Sequence, residues 1–63
     1  MENKIKICRE ELKMSQEELA EKSTVSRATI SGLESGRVTI TTTGTLQKIA
    51  EALGKPVSEI FFT

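Results

Sequence analysis

The chain has 63 residues and no net charge, nine basic side chains balancing nine acidic ones, so composition alone announces no generally basic surface for nucleic acid. One cysteine and no histidine exclude an intramolecular disulfide and a Cys/His zinc site, and the lack of Trp and Tyr argues against an aromatic platform for stacking single-stranded bases. Apolar residues at 37% and charged residues at 29% argue against disorder and suit one small domain, 1–63, that buries only about 60% of its unfolded surface and so depends on good packing or a partner.

The spacing predicts a first helix from about Lys4 to Leu12. Ile5, Cys8 and Leu12 recur at three and four and form one apolar stripe, with Ile7 off it. Cys8 reads as a small buried hydrophobe, since no partner for thiol chemistry is visible. Lys4, Lys6, Arg9 and Lys13 make this segment basic, while Glu10, Glu11, Glu17, Glu18 and Glu21 follow or interleave. Met14 packs as the chain turns. Ser15 with Glu18 three residues on is a capping box, and it opens a second helix from Gln16 to about Lys22.

Ser23-Thr24-Val25 is the turn that follows. Ser26 caps a third helix that runs to Glu34, with Ile30 and Leu33 on its inner face. Arg27, Ala28, Ser31 and Gly32 are left for its outer face. Ala20 lies where the second and third helices cross, and its small side chain lets their backbones approach. Gly36 is a stop in the left-handed conformation.

Val38-Thr39-Ile40-Thr41 alternates like a strand, but a single strand has nothing to pair with, so Arg37 to Thr45 reads as a loop with Ile40 inward. Thr41, Thr42 or Thr43 caps a fourth helix, in which Leu46, Ile49, Ala50 and Leu53 share one face. Gly54 ends it. Pro56 suits the start of a short fifth helix to about Phe61, carrying Val57 and Ile60. The expected class is all-α, five short helices around one core. No apolar run is long enough to span a membrane and no signal peptide is visible, so a cytoplasmic protein is expected.

Four stretches now stand in order: Ser15-Gln16-x-x-Leu19-Ala20, Val25-Ser26-x-x-x-Ile30-x-x-Leu33-Glu34-x-Gly36, Leu46-x-x-Ile49-Ala50-x-x-Leu53-Gly54, and Ile60-Phe61. Together they resemble the lambda-repressor-like (Cro/CI-type, XRE-type) helix-turn-helix family over Ile5 to Phe61. The resemblance implies a helix-turn-helix at the second and third helices, with the third helix entering the major groove of duplex DNA.

By position it implies base contacts from Arg27, Ala28, Ser31 and Gly32. Arg27 would donate to guanine O6 and N7, and Ala28 would touch a thymine methyl. Gly32 offers no side chain: either it permits close backbone approach, or it leaves that base unread. Phosphate contacts are implied for Gln16, Thr29, Arg9, Arg37 and Thr39, with Gln16 at a helix N-terminus where phosphate is favoured. Arg9 and Glu34 resemble the family's ion pair between the first and third helices. Phe61 and Phe62 fall where the family's last helix often makes a two-fold dimer contact. The plainer readings are a solvated Arg27, a first-turn Gln16, unpaired surface charges at Arg9 and Glu34, threonines that merely cap and turn, and a frayed end.

Three departures from the family pattern matter. Thr24 stands where Gly is usual, Ser23 replaces an apolar residue, and the segment from Gly36 to Leu46 is about one residue longer and lacks a proline. The function implied is a sequence-specific double-stranded DNA-binding transcriptional regulator, a repressor acting as a homodimer on a palindromic operator. The alternative is a protein-interaction or antitoxin-like subunit of the same fold. An enzyme is not expected, because no histidine or aspartate and no nucleophile–base constellation is present. The reading asks for no cofactor and no metal.

Overall fold

The computed structural model describes residues 2–38 and 42–62, with the side chains of residues 2 and 62 excepted. Five helices follow in order: α1 (Ile5–Glu11), α2 (Gln16–Ser23), α3 (Arg27–Ser35), α4 (Thr43–Leu53) and α5 (Val57–Ile60). The all-α reading holds. Two short segments, β1 (Glu2–Asn3) and β2 (Phe61–Phe62), add a minimal antiparallel ladder with Glu2 opposite Phe62 and Asn3 opposite Phe61.

Helix boundaries follow local chemistry. The Ser15 hydroxyl accepts from the Glu18 amide and the Glu18 carboxylate accepts from the Ser15 amide, which satisfies two of the donors that a helix start leaves unpaired. Ser26 caps α3 through the Thr29 amide, and Thr42 caps α4 through the Thr45 amide. Both caps pair hydroxyl to hydroxyl as well, Ser26 with Thr29 at 2.8 Å and Thr42 with Thr45 at 2.9 Å. Of the three threonines able to cap α4, Thr42 does so. Gly36 turns the chain out of α3 in the left-handed conformation at φ 82°.

The core gathers Ile5, Leu19, Ile30, Leu33, Ile49 and Ile60, all fully buried, with α2 packed on both α3 and α4. Each such side chain contributes about 1.5–3 kcal/mol relative to staying exposed. Cys8 and Met14 are buried, and Ala20 packs half-buried against the same cluster. Leu12 departs from expectation: it is 51% exposed. Helix α1 ends at Glu11, so Leu12 falls in the turn, where helical spacing no longer sets direction, and Met14 takes the inward place.

The first strand is held from several sides. The Lys4 amide donates to the Ile60 carbonyl at 2.7 Å. The Asn3 side chain accepts from the Ile5 amide and donates to the Leu33 carbonyl at 3.0 Å, tying the start of α1 to the end of α3. Phe61 lies 7% exposed in the core, so its side chain is not on the surface where the dimer contact was expected. The side chain of Phe62, and the inward turn expected of Ile40, lie outside the described residues.

Candidate nucleic-acid interface

The turn between α2 and α3 sets the angle at which α3 stands. Ser23, in the place of an apolar residue, is 3% exposed and satisfies itself locally. Its hydroxyl donates to the Leu19 carbonyl at 2.6 Å and accepts from the Val25 amide at 3.3 Å. A buried hydroxyl so paired avoids the cost of desolvation without a partner. Thr24 adopts the left-handed conformation directly, at φ 59°, and its hydroxyl donates to the Ser23 carbonyl. The tight turn is thus kept without glycine, at a strain of roughly 1 kcal/mol.

Turning inward Ile30 and Leu33 fixes what α3 turns outward. Arg27 and Ala28 are exposed, Ser31 is half-buried and Thr29 is half-buried. The Thr29 hydroxyl is engaged with Ser26 in the cap, which leaves it only its remaining lone-pair or proton capacity for a phosphate. Arg27 and Ala28 stand at the N-terminal end of α3, the end from which a helix in the major groove reaches base edges.

Gly32 lies on the same side of α3 as Ala28, four residues back, but it is covered there. It is buried, and a carbon added to it would collide with Val38, whose Cβ would lie at 3.1 Å. The Val38 amide donates to the Gly32 carbonyl at 2.9 Å, so the chain after Gly36 folds back onto this turn of α3. The expectation that residue 32 itself faces a base is corrected on this ground. Arg37 is exposed beside it, with its amide on the Ser35 hydroxyl at 3.3 Å. Thr39 lies outside the described residues.

Arg9, Gln16 and Glu34 come together although they lie on three helices. Arg9 Nε donates to Glu34 Oε2 at 2.8 Å, and Nη2 donates to Oε1 at 3.1 Å. Arg9 Nη1 donates to the Met14 carbonyl at 2.7 Å. The pair expected between α1 and α3 is therefore present, with the Arg9 and Glu34 side chains 11% and 5% exposed. Three of the five guanidinium N–H bonds are thereby committed, so Arg9 is a fixed strut and presents little edge to a phosphate. The hydrogen bond to Glu34 raises the Arg9 pKa above its ordinary value, outweighing the opposing effect of desolvation. A raised pKa on a base adds stability that is complete below the ordinary arginine range and lost only above it, so Arg9 stays charged throughout the physiological range.

Gln16 Nε2 donates to Glu34 Oε1 at 3.2 Å. A carboxylate paired with arginine accepts, so the amide nitrogen and not the oxygen must face it. One Nε2–H remains for an external acceptor at the start of α2. Glu17 and Glu18 sit in the same first turn; Glu18 is occupied by the cap, and Glu17 adds a negative charge near any phosphate bound there.

Two residues that hold this geometry, Asn3 and the bonded Ser23, carry weak sequence signals. The polar Ser23 at an apolar place of the pattern was the visible one; Asn3 reaches a carbonyl 30 residues away and leaves no local trace. Among the described residues no His/Cys/Asp/Glu group could hold a metal ion, and no helix is long and apolar enough to cross a membrane. Compared with known proteins, the chain matches the family model described as helix-turn-helix over residues 5–60. No curated protein matches it.

Proposed function

The chain belongs to the lambda-repressor-like helix-turn-helix family of DNA-binding domains, and from that premise we propose that it is a sequence-specific transcriptional repressor that occupies a palindromic operator as a homodimer. The observation that carries the reading is the outer face of α3. Arg27 and Ala28 stand exposed at its N-terminal end while Ile30 and Leu33 anchor the opposite side in the core.

In this reading α3 lies in the major groove. Arg27 donates its two-pronged edge to guanine O6 and N7, and Ala28 meets a thymine methyl. Ser31 reaches one turn deeper. Gln16 gives its remaining amide N–H to a phosphate, helped by the free backbone amides at the start of α2. Thr29, through what its cap leaves spare, is a secondary phosphate contact. Two protomers place their α3 helices about 34 Å apart, one turn of duplex. Repression follows from occupancy of a promoter, in the cytoplasm. Phe61 takes no part in the dimer; Phe62 remains in the proposed contact.

In-vitro selection of duplex oligonucleotides from a random pool tests the whole reading. A two-fold symmetric consensus is expected. A pool that stays random after selection would overturn it. A second reading, a protein-interaction or antitoxin-like subunit, is favoured by Ile7 and Leu12, which stand 56% and 51% exposed on or beside α1. It predicts no enrichment of any duplex.

A further inference from the structure

Within the duplex-DNA reading, we propose that Arg37 is a base-reading residue that stands, from the following loop, beside the turn of α3 where Gly32 carries no side chain and Val38 packs. Residues 28 and 32 lie four apart and so on one face of α3, one turn above the other. Ala28 offers a methyl group there and Gly32 offers nothing. A side chain begun at Gly32 would find Arg37 Nη2 3.6 Å from its first carbon. The donor missing from the helix is therefore supplied by a neighbour.

The position of Arg37 is built from both sides. Gly36 at φ 82° reverses the chain. The Arg37 amide is held by the Ser35 hydroxyl, which itself donates to the Gly32 carbonyl at 3.2 Å. The next amide, Val38, donates to the same carbonyl at 2.9 Å. The amides of Arg37 and Val38 are thus both bonded to the last turns of α3, and the side chain leaves from a fixed point. Gly32 is what allows it, since any larger residue would displace Val38.

Arginine at this place has a consequence that lysine would not. The planar guanidinium can give two parallel hydrogen bonds to one guanine, whereas an ammonium is a point charge. Arg27 at one end of the outer face and Arg37 beside Gly32 then bracket Ala28, so each half-site carries two arginine-read positions with a methyl-read one between them. This differs from a phosphate clamp, which would hold the duplex without regard to sequence.

The test is parallel in-vitro selection of random duplexes by the wild-type chain, Arg37→Ala and Arg37→Lys, with thermal melts to show that each remains folded. The wild-type consensus should contain one base pair per half-site at which Arg37→Ala loses roughly five- to a hundredfold of its discrimination, the other positions being kept. Arg37→Lys should not restore that position. The inference is overturned if Arg37→Ala keeps the full consensus and merely binds every sequence more weakly, with Arg37→Lys recovering the loss. If the wild-type chain itself selects no consensus, the DNA reading fails and the inference with it, and that failure shows in the wild-type arm alone.

Discussion

The guanidinium of Arg9 and the carboxylate of Glu34 meet edge to edge, at 2.8 and 3.1 Å, and join α1 to α3 with both side chains largely shielded from solvent. Removing either partner leaves the other charge buried and alone, which costs about 3–5 kcal/mol. A domain of this size has roughly 3–9 kcal/mol in all. Arg9→Ala or Glu34→Ala should therefore lower the urea midpoint at 25 °C by about a third or more, and abolish the transition if the stability lies at the low end of that range. The double replacement Arg9→Met with Glu34→Leu should retain more of it than either single alanine change. Single variants as stable as the wild type would mean that the pair is solvated and immaterial.

Among the described residues two non-glycine positions take the left-handed conformation, Lys13 at φ 54° and Thr24 at φ 59°, and both carry removable strain. Lys13→Gly should stabilise by about 1 kcal/mol, seen as a rise of roughly 4–8 °C in Tm. Thr24→Gly should gain less, because it gives up the bond from the Thr24 hydroxyl to the Ser23 carbonyl. Calorimetry that ranks the two the other way would contradict the assignment.

Gly32→Ala sets helix propensity against packing. Alanine gains about 1 kcal/mol over glycine inside a helix. Overpacking costs about 1–3 kcal/mol, and here the new carbon meets Val38 rather than open space. The net expectation is destabilisation, with the chemical denaturation midpoint falling. A higher midpoint would show that the Val38 segment gives way without cost.

Ser23→Ala removes one hydroxyl that serves two backbone groups. The Val25 amide is left without its acceptor in a buried turn, at about 1–3 kcal/mol. The loss should appear as a lowered Tm, and an unchanged Tm would mean that the amide finds another acceptor.

Arg27→Ala and Gln16→Ala separate base from phosphate contacts in the proposed complex. The arginine change should relax preference at one base pair per half-site, by about 1–3 kcal/mol. The glutamine change should weaken all duplexes alike, and because Gln16 is uncharged the salt slope of binding should stay nearly constant. Titrations at several salt concentrations in which the two variants behave identically would remove the assigned roles. Gln16 also bonds Glu34, so melts of Gln16→Ala are needed beside the titrations.

Much of the fold is legible because its signals are local. Ser15 with Glu18, Ser26 with Thr29, and Gly36 mark their helix ends within a single turn of chain. The inward faces follow from spacing alone, Ile30 with Leu33 and Ile49 with Leu53. What escapes is tertiary. Leu12 looks like the next step of a stripe, but the helix has ended; of the adjacent Phe61 and Phe62 one can enter the core by spacing, and the ladder with Asn3 shows that Phe61 does. In the candidate interface, Arg27 and Ala28 stand exposed as spacing implies. Gly32 could not be resolved from sequence, because its neighbour Val38 arrives from beyond the helix and is set there by the Gly36 turn.

The ladder of Asn3 with Phe61 closes almost the whole chain into one loop. Contacts so distant in sequence bear the largest chain-closure entropy, whereas each helix and the α2–α3 turn form from near neighbours. The α2–α3 unit is accordingly free to assemble early, and the ladder is the last seam to close. Local opening of the native protein is expected to begin at that seam and to bare Phe61. The Lys4 amide, bonded to Ile60 across the seam, should exchange its hydrogen sooner than the buried amides of α2.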